Sequence, residues 1–255
     1  MNILDRIVEV KRREVQAAID TFGLEVEIPE RMADPVSMKQ ALQDSPTGII
    51  AEFKRRSPSK GDIHPMADVA EIVSGYEAKG ASAGSILTDT PFFGGAVSDL
   101  MVARQRVSIP LLRKEFIIHP RQISEAAALG ADAILLIAAI LTGEEIESFT
   151  ETAHQLGMEV LLEIHNATEL EKFCPNVDMV GVNNRDLTTF VTDTNLSEKV
   201  AEVLPVDVLR VAESGMTDMG QVRTLRDLGY RGFLIGEAFM RHSDPAEALE
   251  IFLNS

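Results

Sequence analysis

The sequence predicts an α/β fold, a closed (β/α)8 barrel of the TIM type preceded by an N-terminal helical extension. Three observations carry that expectation. Eight short apolar runs recur at intervals of roughly 20 to 36 residues, the repeat of strand–helix units. Helical patterns fill most of the intervals, and several end in glycine. The 255-residue length suits one such barrel, which takes about 250 residues. The expected organisation is a single domain, with residues 1–45 as the extension and 46–255 as the barrel. A doubly wound open sheet is the competing architecture.

The extension comes first, with helical patterns over Asn2–Thr21 and Pro35–Gln43. Such a segment caps the barrel or contributes to its pocket, and the pattern alone does not choose between them. The strand candidates follow: Ile49–Phe53, Ser85–Leu87, Pro110–Lys114, Ala133–Ile137, Glu159–Ile164, Met179–Val182, Val208–Ala212 and Gly232–Ile235. They are near-continuous apolar runs, as expected of parallel strands covered on both faces. Between them lie the helix patterns Met66–Lys79, Pro120–Leu129, Gly143–Leu156, Asn195–Val203 and Asp218–Leu228. Three of these run into Gly80, Gly130 and Gly229, the residue type that closes a helix in the left-handed conformation.

Charge and cysteine usage narrow the function. A formal net charge of −16 repels nucleic acid, so no nucleic-acid partner is expected. The start, MNILDRIVEVKRREV, carries acids among its bases and lacks the apolar stretch of a signal peptide. The longest apolar run, Ala133 to Leu141, is far below the ~20 residues of a membrane span. One cysteine, Cys174, leaves no internal disulfide framework and fits a reducing cytoplasm; it reads as a small buried side chain.

In this architecture chemistry gathers at the carboxyl ends of the strands, and ionisable residues concentrate there. Glu52 and Lys54 alternate around Phe53 and therefore share a face. Lys114 ends the third strand, Glu163 the fifth, Asn183 and Arg185 follow the sixth, Glu213 and Ser214 the seventh, and Glu237 the eighth. Any one of these suits a solvated strand end; together, at one end of six strands, they mark a site. Gly215 and Gly236 sit in the last two loops, where such barrels hold phosphate through backbone N–H groups. The first loop, Arg55 to Gly61, is basic and hydroxyl-rich, suited to handling an anion. The expected partner is a small phosphorylated metabolite.

The run IIAEFKRRSPSKG (Ile49 to Gly61) resembles the signature of the indole-3-glycerol-phosphate synthase family. So do LTDTPFFGG (Leu87 to Gly95), PLLRKEFII (Pro110 to Ile118), GADAILLI (Gly130 to Ile137), GVNNRDL (Gly181 to Leu187), AESG (Ala212 to Gly215) and FLIGEAFM (Phe233 to Met240). The resemblance implies a carboxy-lyase of tryptophan biosynthesis, without cofactor or metal, acting on 1-(2-carboxyphenylamino)-1-deoxyribulose 5-phosphate. It implies Lys114 as general acid, Lys54 on the substrate carboxylate and in the later proton transfer, and Glu163 as base. Glu52 and Asn183 position groups, Arg185 supplies electrostatic support, and Glu213 and Ser214 line the floor. Ser57, Gly215, Gly236 and Glu237 hold phosphate, while Phe93, Phe116 and Leu187 sandwich the ring. Two departures stand out. Glu115 replaces the family's usual Asp, where alternation points it away from Lys114 and a modest effect on packing or loop contacts is expected. The stretch Asp62 to Ala67 lacks the family's usual basic and Phe-containing pattern.

Rival functions fit less well. Phosphoribosylanthranilate isomerase needs a cysteine on the first strand, where this chain has Glu52 and Lys54. A metal enzyme lacks converging ligands at recognisable spacing, and His165 reads as a structural, hydrogen-bonded residue. A non-catalytic sensor of phosphorylated ligands has no need of Lys54, Lys114 and Glu163 together. A monomer or weak homo-oligomer is expected, with no membrane partner.

Overall fold

The computed structural model of the chain describes residues 2–24, 34–186, 191–205 and 207–255. Its eight parallel strands are β1 (Ile49–Phe53), β2 (Ala83–Leu87), β3 (Leu111–Lys114), β4 (Ala133–Ile137), β5 (Glu159–Ile164), β6 (Met179–Asn183), β7 (Leu209–Glu213) and β8 (Tyr230–Ile235). They close in sequence order. β1 seals the ring, with Ile50 opposite Ala83 of β2 on one side and Leu234 of β8 on the other. The open-sheet alternative is thereby set aside. Two strands run one residue further than their sequence patterns suggest, so Asn183 and Glu213 belong to the barrel wall rather than to loops.

The helices are α1 (Ile3–Phe22), α2 (Met38–Asp44), α3 (Val69–Ala78), α4 (Thr90–Phe93), α5 (Val97–Arg104), α6 (Pro120–Ala128), α7 (Gly143–Gln155), α8 (Asn195–Ala201), α9 (Met219–Asp227), α10 (Glu237–Met240) and α11 (Pro245–Leu253). Their starts follow from side-chain capping: Asp68, Thr142 and Asp218 each accept the N–H of the residue three positions on, satisfying a donor that the first turn leaves free. Gly80, Gly130 and Gly229 take φ of 95°, 86° and 92°, which lets the chain turn back into the next strand without a Cβ clash. Four short helices (α4, α5, α10, α11) and a 3-10 turn at Ala167–Lys172 were not evident from periodicity; the shortest span about one turn, too little for a 3.6-residue repeat to register.

Strand alternation sorts the core into two shells. Ile49, Ala51 and Phe53 point outward into the layer shared with the helices. Ile50, Leu112, Leu135, Leu161 and Val211 point inward and fill the barrel. The two helices of the extension close opposite ends. α2 packs under the amino ends of the strands: the backbone N–H groups of Val36 and Lys39 donate to Asp132 (3.0 Å) and Glu159 (2.8 Å), and Leu42 is fully buried. α1 lies over the carboxyl ends, with Leu4 and Ile7 buried in the inner shell. The extension therefore does both things its sequence left open: it caps the barrel and walls the pocket.

Candidate active site

At the carboxyl ends of the strands the inner shell turns polar. One pocket is lined by Glu52, Lys54, Ser57, Lys114, Glu163, Asn183, Arg185, Glu213 and Ser214, with Phe93 and Phe116 on an apolar side. A second cleft shares Glu52, Lys54, Arg185 and Ser214 with it and adds Gly215, Gly236 and Glu237. Every expected site residue except Leu187 lines one or both; Leu187 lies outside the described residues.

Lys114 Nζ lies 2.9 Å from Glu163 Oε2 and also contacts Glu213 Oε2. Burial works against the ammonium, but Glu163, Glu213 and Glu52 outweigh it and hold its proton affinity above the usual lysine value. A general acid acting near neutral pH, the role the resemblance implies for Lys114, is served by a lowered proton affinity; the geometry shifts this lysine the other way. Burial also favours the protonated form of Glu163, yet Lys114 and His165 overcome this and keep it below the usual carboxylate range. Burial pushes Glu213 up to about 8, with Lys114 opposing and Glu163 reinforcing the shift. The two adjacent carboxyl groups are thus driven in opposite directions, Glu163 toward the ionised form and Glu213 toward the protonated one, the separation by which enzymes set proton acceptors apart from donors.

Gly181 makes this crowding possible. A Cβ there would lie 2.2 Å from Glu213 Oε1, so the glycine on β6 leaves the volume that the Glu213 carboxyl occupies. Gly236 does the same for Glu52, whose Oε1 would lie 2.6 Å from an added Cβ. Glu52 in turn accepts from Lys54 Nζ at 2.7 Å. Asn183 Oδ1 accepts from the Ser214 hydroxyl at 2.9 Å, and Asn184 donates to the Ser214 carbonyl at 3.1 Å. These bonds hold Ser214 at φ 65°, the one positive φ outside glycine among the described residues, a conformation that persists only where surrounding contacts enforce it.

In the cleft, Arg185 Nη2 lies 3.0 Å from Glu237 Oε2, and Lys60 Nζ lies 3.6 Å from Glu237 Oε1. The Glu237 side chain therefore gathers two cations. The first loop divides its labour: Ser57 faces the pocket, whereas Arg55 is turned away, bound to Asp99 and stacked 4.8 Å over the Phe53 ring. The anion-handling expectation does not extend to Arg55.

His165 departs from its sequence reading. Its Nε2 is 3.1 Å from Glu163 Oε1 and its Nδ1 is 3.7 Å from Glu169, but neither ring nitrogen has a well-aimed hydrogen bond. It is an ion-pair partner. Burial disfavours its charge, and Glu163 and Glu169 together outweigh burial, pushing it up to about 10 from 6.5. A raised value means the ionised ring stabilises the fold fully below pH 6.5, and that contribution is lost as pH rises toward about 10. The melting temperature of the natural protein is expected to fall more steeply across that window than that of His165→Asn. Parallel melting curves would show that the ring stays neutral.

Sequence reasoning missed the apolar wall: Ile3, Leu4 and Ile7 from α1, Leu135 and Ile137 from β4, and Leu234 from β8. Strand alternation was signal enough for Leu135 and Ile137, which share a phase. Nothing local indicated that α1 folds back over the pocket. Among the described residues no group of three or more His, Cys, Asp or Glu side chains is placed to hold a metal, and no helix is long and apolar enough to cross a membrane.

Known proteins sharpen this picture. The family model for indole-3-glycerol phosphate synthase matches residues 4–252. A protein of that name from Bacteroides thetaiotaomicron is 51% identical over 257 residues, covering 100% of this chain and 98% of its own. Another from Carboxydothermus hydrogenoformans is 40% identical, covering 98% and 99%. Among solved structures, a thiamine phosphate pyrophosphorylase from Pyrococcus furiosus superposes with a TM-score of 0.60 at 18% identity, over 86% of this chain and 96% of that one, a likeness of fold alone. With the barrel, the lysine–carboxylate pocket and a family match over nearly its whole length, the chain belongs to the indole-3-glycerol phosphate synthase family.

Proposed function

We infer that this chain, working as one domain over residues 1–255, converts 1-(2-carboxyphenylamino)-1-deoxyribulose 5-phosphate to indole-3-glycerol phosphate, carbon dioxide and water. The observation that carries the reading is the convergence of Lys54, Lys114 and Glu163 on one pocket that opens into the Gly215–Gly236 cleft. The ring carbon bearing the carboxylate attacks the ketone carbon, and Lys114 gives its proton to the developing alkoxide. An alkoxide is more basic than even a carboxylate-paired lysine, so the raised affinity of Lys114 does not block the transfer. Loss of carbon dioxide returns the C–C bonding pair to the ring. The new hydroxyl then departs as water, protonated by Lys54, while Glu163 takes a proton from the carbon beside nitrogen.

The remaining residues bind and orient. Lys54 meets the substrate carboxylate before its later proton transfer. Glu52 holds Lys54, and Asn183 and Ser214 fix each other beside the reacting atoms. Glu213 lines the floor as a neutral acid. Ser57 and the backbone N–H groups of Gly215, Gly236 and Glu237 hold the phosphate, with Arg185 as its nearby positive charge. Phe93, Phe116 and Leu187 flank the aromatic ring. The protein is read as cytoplasmic, a monomer or weak homo-oligomer, with no nucleic-acid partner. Purified protein given this substrate is expected to produce indole fluorescence, together with one carbon dioxide per turnover. Saturable binding with no fluorescence would overturn the reading in favour of a ligand sensor.

A further inference from the structure

The N-terminal helix carries one buried cation. Residues 3, 4, 7 and 11 of α1 lie on one helical stripe; the first three line the pocket, and Lys11 is only 4% exposed. Its Nζ lies 2.8 Å from Asp89 Oδ1, 3.2 Å from Glu115 Oε1 and 2.7 Å from Glu14 Oε2. Asp89 and Glu115 are themselves buried, at 0% and 4% exposure. A charge withdrawn from water persists only where partners compensate it, so three charged groups from three chain segments depend on one another.

Each of the two buried carboxylates is rooted beside an aromatic residue of the pocket. Asp89 caps α4 and accepts from the backbone N–H groups of Phe92 (2.8 Å) and Phe93 (3.1 Å). Glu115 accepts from the Phe116 N–H (2.9 Å) through one oxygen and from the Thr88 hydroxyl (2.7 Å) through the other. The Phe93 and Phe116 rings meet with centroids 5.9 Å apart. We propose that Lys11 is a positioning residue that fixes the separation of Phe93 and Phe116, and thereby the fit of an aromatic ring, by bridging Asp89 and Glu115 from the N-terminal helix. Glu115 then acts in this ring clamp rather than as the modest loop contact its sequence position suggested; its longer side chain takes part in the bridge. Without the ammonium, nothing ties the Asp89 and Glu115 carboxyl groups to each other from α1, and each is free to shift together with the phenylalanine whose backbone it holds.

This inference rests on the proposed reaction, in which an aromatic ring occupies that pocket. The test compares full-length natural protein with Lys11→Met, measuring KM and kcat with the carboxyphenylamino substrate and binding of anthranilate and inorganic phosphate separately. Lys11→Met is expected to raise KM and weaken anthranilate binding by about tenfold or more, with kcat and phosphate affinity within about twofold. Lys11→Arg is expected to restore the ring affinity. Should Lys11→Met fail to fold, Glu115→Asp is read instead, since it shortens the bridge by one methylene while keeping every charge, and the same ring-selective loss is expected. Unchanged anthranilate affinity, or equal losses for anthranilate and phosphate, would overturn the proposal. Absence of turnover in the natural protein would instead count against the proposed reaction and leave the ligand-binding comparison standing as its own test.

Discussion

Replacing Lys114 with alanine is expected to lower kcat by roughly 10²- to 10⁴-fold while the barrel stays folded. The catalytic loss follows from the ammonium's place beside Glu163 and Glu213, where it is ion-paired with both. The survival of the fold is less obvious, because removing one partner of a buried ion pair costs about 3–5 kcal/mol when a charge is stranded. Glu213 provides the escape. Burial already pushes it up to about 8, so without Lys114 it retains its proton at neutral pH, and the two carboxyl groups share one negative charge between them. Turnover measured by indole fluorescence and folding measured by circular dichroism separate the two claims. Turnover within tenfold of the natural protein would remove Lys114 from its role.

Replacing Glu163 with glutamine is the second large expected effect, again roughly 10²- to 10⁴-fold on kcat. The amide nearly matches the carboxylate in shape and its oxygen still accepts from Lys114, but it takes up no proton. The loss should therefore fall on kcat, with KM changed little. Lys114 and Glu163 also act as a unit, so the double variant Lys114→Ala/Glu163→Gln is expected to lose little more than the worse single variant. Additive losses on a logarithmic scale would mean that the two residues work independently.

The barrel and most of its polar site were legible because a parallel strand imposes a strict two-residue alternation. Glu52, Lys54, Lys114, Glu163, Asn183 and Glu213 fall in phase at one end of their strands, and that phase survives folding. What stayed hidden depends on contacts between distant segments. No local pattern shows that Ile3, Leu4 and Ile7 face substrate or that Lys11 reaches Asp89, because the helix carrying them has to be placed over the barrel first. The basic loop after β1 illustrates the same limit. Arg55 and Ser57 sit two residues apart in one motif, yet one anchors α5 and the other faces the pocket. His165 was legible as a residue beside Glu163, but its charge was not, since that depends on Glu169 arriving from the following turn.

The two helices that seal opposite mouths of the barrel also set an order of assembly during synthesis. α2 is translated before every strand, yet its segment bonds to Asp132 and Glu159, separated in the chain by 96 and 120 residues. β1 waits longer, since its outer partner is β8. These distant pairings make closure slow relative to local helix formation. The α2 segment must therefore wait for Asp132 and Glu159 before its end of the barrel can be sealed, and the ring itself closes only once β8 has followed.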